Sequence, residues 1–220
     1  DTSRGLGDVY KRQVYGGNIR QPFQESHGVD HPLQFYAVSK RTNELMAHAY
    51  SNLYGTECIG LRFFTVYGPW GRPDMALFKF TKNILEDKEI DVYNNGNHSR
   101  DFTYVDDIVE GIYLSSISKK ELIDSNFDSK DPSRSFCKSI IFNLGRGKPE
   151  NLEDFIDEIE NNLGKRAKRN LMPLQPGDVP DTSADISGLK DFSGYEPKTS
   201  IKIGVKNFID WYKEYYKVNL

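Results

Sequence analysis

Apolar and polar positions along the chain fall into alternating blocks that read in turn as helix and strand. Helix-forming residues run from Leu33 to Tyr54 without Gly or Pro, after a start signal at Asp30 and Pro32, and Gly55 closes the run. The segment from Glu57 to Tyr67 (Glu-Cys-Ile-Gly-Leu-Arg-Phe-Phe-Thr-Val-Tyr) is rich in apolar and β-prone residues, the pattern of a strand buried on both faces of a parallel sheet. Gly68-Pro69 ends it. Helical spacing returns over residues 75–87, Ile90–Tyr93 predicts a short strand, Phe102–Val105 is extended, and Asp106 can cap a helix over Ile108–Ser115. Ile140–Leu144 is another apolar strand, stopped by Gly145 and Gly147, and amphipathic helices follow from Asn151 and over Ile201–Tyr216. Residues 14–31 and Leu171–Ser187 carry the Gly and Pro of loops, and Ser116–Ser139 is a polar surface insertion, partly mobile. This alternation predicts an α/β fold with a parallel sheet.

Composition narrows the function. The 220 residues are enough for one domain, or for one domain and a piece of another. A net charge of -3 gives no general pull toward nucleic acid or an acidic membrane. The basic run Lys165–Arg169 follows a helix and reads as its solvated end. Two cysteines, Cys58 and Cys137, make no disulfide framework, which places the protein in a reducing cytoplasm. The four histidines lack metal-ligand spacing, no apolar run reaches the length of a membrane span, and nothing resembles a signal peptide. Residues 1–13 fit neither periodicity and resemble translated sequencing-adapter read-through, so they are read as a non-native leader.

Tyr36 and Lys40 carry the candidate chemistry. They lie four apart on the first helix, hence on one face. An unperturbed phenol titrates at about 10, and a neighbouring ammonium favours the phenolate a base requires. Among the thirteen tyrosines, Tyr36 alone has a Lys four residues on. A Tyr-x-x-x-Lys spacing is weak by itself. Longer matches accompany it in order: Val14-Tyr-Gly-Gly-Asn, Val29-Asp-His-Pro, Tyr36-Ala-Val-Ser-Lys40, Glu44-Leu-Met-Ala-His, the run from Leu61 through Pro69-Trp-Gly-Arg-Pro-Asp-Met to Ala76, and Arg100-Asp-Phe-Thr-Tyr-Val-Asp-Asp-Ile108.

Together these segments resemble the NAD-dependent nucleotide-sugar epimerases of the extended short-chain dehydrogenase/reductase family, and within it the bacterial UDP-glucuronate 4-epimerases. The resemblance runs from Val14 to about Trp211. It implies a Rossmann-type doubly wound sheet with an interleaved substrate-binding part. Residues 14–74 would form the C-terminal half of the NAD-binding domain, and 75–220 the substrate part, with sheet elements interleaved at 101–145. It implies C4 epimerisation of a UDP-uronic acid through a 4-keto sugar, using tightly held NAD, in the supply of acidic sugars for surface polysaccharide. By resemblance Tyr36 is the general acid and base, Lys40 binds the nicotinamide ribose, and Phe63 lies beside the nicotinamide. Thr65 and Arg72 would meet the glucuronate carboxylate, Arg100 the UDP phosphates, Asp91, Val92 and Tyr93 the uracil, and Asp178 the uridine ribose. Asn143 reads as structural. The family helix that bears the Tyr packs against its mate, so a homodimer is implied.

Two departures stand out. Lys11 occupies the slot of a catalytic Ser or Thr, and Tyr10, Lys11, Arg12 and Gln13 replace a Ser-rich stretch. No Gly-x-x-Gly-x-x-Gly loop follows a first strand, and Gly5-Leu6-Gly7 is too short to serve. The resemblance therefore reads as an N-terminally truncated, inactive fragment. A related UDP-sugar epimerase or decarboxylase, or a non-catalytic nucleotide-binding protein of the same fold, stays open as an alternative.

Overall fold

The computed structural model describes residues 14–124, 127–174 and 179–218. Residues 1–13, among them Lys11, and Asp178 lie outside the described residues. The order is α1 (Phe35–Tyr54), β1 (Cys58–Phe63), β2 (Thr65–Tyr67), α2 (Ala76–Leu85), β3 (Glu89–Tyr93), β4 (Ser99–Arg100), β5 (Phe102–Tyr104), α3 (Val105–Ile117), β6 (Ser139–Leu144), β7 (Glu150–Asn151), α4 (Leu152–Leu163), β8 (Lys168–Met172), α5 (Ser187–Ser193) and α6 (Ile201–Tyr216). Three strand pairs are parallel, β1 with β6, β2 with β5 and β3 with β8; the short β4 and β7 pair antiparallel. The α/β reading stands.

The long apolar run does not form one strand. The chain changes partner at Phe64, whose N–H bonds Leu144 O at 3.0 Å, while Thr65 N–H bonds Asp101 O at 3.1 Å. A single run can serve two neighbours only by breaking register between them, and Phe64 sits in that break, buried against Tyr15 and Phe23. Burial on both faces belongs instead to β6, whose six residues are all buried; β1 is half-buried and Phe63 lies open.

Other boundaries differ for local reasons. The first helix begins at Phe35 with Gln34 at the N-cap position, and Asp30 instead pairs with Arg41 at 3.0 Å. Asp106 does not cap the third helix, which starts at Val105; Asp107 in the same turn accepts the N–H groups of Lys198 and Thr199. Ser200 does cap α6, accepting from Ile203 N. The basic run is not simply a solvated helix end. It enters β8, and Arg166 and Arg169 both bond the buried Glu160 of α4. Two arginines hold that carboxyl below the ordinary range despite the opposing effect of burial.

The main core gathers α2, α4 and α6 over β3 and β5, with Phe102 and Phe155 stacked at 4.1 Å. Each such buried ring contributes about 1.5–3 kcal/mol. A second cluster packs α3 and α5 on β6, and Leu122 of the polar insertion joins it. Insertion backbone also follows the sheet, since Ile141 N–H bonds Ser133 O at 2.9 Å. Among the described residues no helix is long and apolar enough to cross a membrane, and no group of three or more His, Cys, Asp or Glu is placed to hold a metal.

Candidate active site

The break between β1 and β2, the loop after β2 and the start of β5 surround a cavity of about 530 Å³. That volume suits a bound small molecule. Its wall includes Tyr36, Phe63, Thr65, Arg72, Arg100 and Phe102. Five residues singled out in the sequence therefore meet at one concavity, although they span three separate segments. Lys40 is not part of the wall. Its Nζ lies over the Tyr36 ring, 5.0 Å from the centroid, as the four-residue spacing requires.

A polar cluster ties α1, the helix that bears Tyr36, to β1. Arg62 of β1, almost fully buried, forms a fork on Glu44 of α1, with Nε to Oε1 at 2.8 Å and Nη2 to Oε2 at 3.0 Å. The same guanidinium stacks on Tyr15 at 4.9 Å. Tyr15 donates to Asn143 Oδ1 at 2.5 Å, and Asn143 Nδ2 donates to Phe23 O at 2.8 Å. Burial pushes the Tyr15 phenol up to about 12, with Arg62 acting in the opposite sense. That phenol remains a hydrogen-bond donor, whereas Tyr36 is 41% exposed and faces the cavity. Asn143 is the structural residue anticipated, and its partners lie too far along the chain for local spacing to reveal them.

Arg100 is buried, and its Nη1 donates to Ser99 O at 2.9 Å and Pro180 O at 2.5 Å. Both partners are backbone carbonyl oxygens, and they fix the guanidinium in the cavity wall. The neighbouring Asp101 is fully buried and accepts from the backbone N–H of Arg146 at 2.6 Å, Gly147 at 2.9 Å and Ala184 at 3.1 Å, and from Thr103 Oγ1 at 3.1 Å. Burial raises its carboxyl above the ordinary range against the pull of those donors.

Arg72 stands in the loop after β2. Gly68 opens that loop at φ 144°, with the Val105 side chain 2.7 Å from where a Cβ would lie, so conformation and space both require Gly. Trp70, at φ 61°, rests on Trp211 and Tyr215 of α6 with ring centroids 5.2 and 5.0 Å away. Asp91, Val92 and Tyr93 are not in the cavity wall. The Val92 side chain is buried in the main core, and Asp91 accepts from Asn170 at 2.8 Å. Thr182 lines the cavity from a loop with no sequence signal, brought there by its N–H bond to Ser99 O at 3.1 Å.

A phenol, a hydroxyl and two guanidinium groups in a largely apolar concavity suit a polar ligand with separated negative charges. Comparisons with known proteins agree in kind. The model of the NAD dependent epimerase/dehydratase family matches residues 12–123. Protein CapI of Staphylococcus aureus is 54% identical over 207 residues, covering 93% of this chain and 61% of that protein. UDP-glucuronate 4-epimerase 2 of Arabidopsis thaliana is 43% identical over 208 residues, covering 93% of this chain and 47% of that protein. Among solved structures, UDP-glucuronic acid 4-epimerase from Bacillus cereus, in complex with UDP-glucuronic acid and NAD, superposes with a TM-score of 0.79 at 31% identity, over 94% of this chain and 61% of that one. The chain thus spans about 61% of the length of the Staphylococcus aureus relative. It belongs to the NAD-dependent epimerase/dehydratase family.

Proposed function

We propose that the protein of which these residues are part interconverts UDP-glucuronate and UDP-galacturonate by epimerisation at C4. The observation that carries this reading is the convergence of Tyr36, Thr65, Arg72 and Arg100 on one cavity. Tyr36 takes the proton of the C4 hydroxyl as the 4-keto sugar forms, and returns it afterwards. Lys40, close to the ring, favours the phenolate. Thr65 and Arg72 hold the uronate carboxylate, Arg100 faces the diphosphate, and the β3 segment Asp91–Tyr93 together with Asp178 is assigned to the uridine end. NAD, when bound, supplies the hydride acceptor and donor at C4. Tyr36, Lys40 and Phe63 fit its nicotinamide end, because Tyr36 and the half-open Phe63 face the same cavity with Lys40 alongside. The names of the Arabidopsis and Bacillus proteins support the choice of sugar.

We assign residues 14–74 and 101–145 to the cofactor-binding sheet and the remainder of 75–220 to the substrate part. The β1–β6 and β2–β5 pairs, which join just these stretches, support that division. The 220 residues contain no Gly-x-x-Gly-x-x-Gly loop, and we expect no turnover from them alone. The test completes the chain by replacing residues 1–13 with the N-terminal part of the Staphylococcus aureus relative. With NAD and UDP-glucuronate, UDP-galacturonate should appear on chromatography. A folded, NAD-loaded protein that forms none sinks the proposal.

Arg72→Ala in the completed protein should weaken UDP-glucuronate by about 1.5–3 kcal/mol and a neutral UDP-sugar far less, since it removes one charged hydrogen-bonding group. Equal losses in titrations with both sugars would take Arg72 out of the carboxylate role. The completed protein is also proposed to be a homodimer through α1. Along that helix Phe35, Leu45, Met46 and Leu53 are 93%, 54%, 55% and 70% exposed, a larger apolar face than a monomer ordinarily leaves in water. Light scattering at micromolar concentration should give twice the chain mass, and a strictly monomeric mass would count against it.

A further inference from the structure

Arg72, assigned above to a ligand carboxylate, already carries one. Its Nε donates to Asp74 Oδ1 at 2.9 Å, and its Nη2 makes a second, short contact with Asp74 Oδ2. Among the described residues its hydrogen bonds go to Asp74 alone. A guanidinium has two forked edges. The side-on edge presents the N–H of Nε beside one of Nη2; the end-on edge presents one N–H each from Nη1 and Nη2. Asp74 takes the first and leaves the second.

The backbone builds this pair. Met75 N–H bonds Arg72 O at 3.0 Å, which closes a four-residue turn with Pro73 in second place, where its fixed φ suits the turn. The turn brings the side chains of Arg72 and Asp74 together. The next turn back, Gly71 N–H to Gly68 O at 3.1 Å, is braced by Trp70 against α6. Arg72 and Asp74 are 56% and 37% exposed, so the pair adds little to folding. What it does is fix the plane of a long, rotamer-rich side chain in the cavity wall.

We propose that Asp74 is a positioning residue that confers specificity: it grips the side-on edge of Arg72 and so presents the end-on edge to a carboxylate of the ligand. The inference rests on the uronate reading. Two effects compete. A second carboxylate near the ligand repels it, whereas an oriented fork loses less freedom on binding. Contact at two atoms of one planar group fixes the plane of that group, which is the ground for orientation as the larger effect.

The completed protein is titrated with UDP-glucuronate and UDP-glucose before and after Asp74→Asn and Asp74→Glu. Asparagine keeps the shape but turns an N–H₂ group toward one of the two donors. Affinity for UDP-glucuronate should fall about fivefold in D74N, that for UDP-glucose should stay within about twofold, and D74E should recover most of the loss. Unfolding midpoints of both variants should match the parent. Tighter UDP-glucuronate binding in D74N would show repulsion to be the larger effect and overturn the proposal, as would equal weakening of both sugars or a lowered midpoint with loss of both. A parent without preference for UDP-glucuronate overturns the uronate reading and the inference with it. A preference left unchanged by D74N overturns the inference alone.

Discussion

Replacing Tyr36 by Phe in the completed, NAD-loaded protein should lower turnover about a thousandfold and leave UDP-sugar binding within about twofold. The substitution removes one oxygen and keeps the ring. The contact of Lys40 Nζ with that ring, at 5.0 Å, is therefore retained, as is the packing of α1 on β1. What is lost is the group that holds the C4 proton. Product formation by chromatography reports the loss, and retention of cofactor absorbance through gel filtration reports that the site is intact. Turnover within about tenfold of the parent would move the proton to another group and remove Tyr36 from the mechanism.

The largest expected effect on folding lies at Asp101. Its carboxylate receives three backbone N–H groups from two distant loops, at Arg146, Gly147 and Ala184. Asp101→Ala leaves all three buried without this acceptor, at about 1–3 kcal/mol each. The sum, about 3–6 kcal/mol after partial relaxation, rivals the whole stability of an ordinary domain. Desolvation of the carboxylate offsets part of what its bonds contribute, which favours the lower end of that range. Urea unfolding of the completed protein measures it. A loss below about 1 kcal/mol would mean that water substitutes for the carboxylate.

Helices and strand cores were legible where a single periodicity ruled a segment. The final helix Ile201–Tyr216 matches residue for residue, because capping and apolar spacing agree there. The run Glu57–Tyr67 misled because its composition cannot reveal that two different strands, β6 and β5, bid for its backbone. The strand Lys168–Met172 was hidden by charge: Lys168 and Arg169 read as solvent-facing, yet Arg169 is drawn onto Glu160. The seven-residue α5 lay inside a Gly- and Pro-bearing stretch, too short for a period to show. At the site, local spacing exposed Tyr36 and Lys40, and the family pattern exposed Thr65, Arg72 and Arg100. Glu44, Asp101 and Thr182 owe their places to partners far along the chain, which no local pattern encodes.

Trp70 gives the cavity an unexpected dependence on the far end of the chain. The loop that bears Arg72 rests through Trp70 on Trp211 and Tyr215, so a wall of the pocket is anchored some 140 positions downstream. Fraying of α6 would reach this pocket before it reached Asp101, whose carboxylate bonds lie elsewhere. Natural variation at Trp211 or Tyr215 would thus act as a tuning screw on ligand preference, although neither residue is part of the cavity wall.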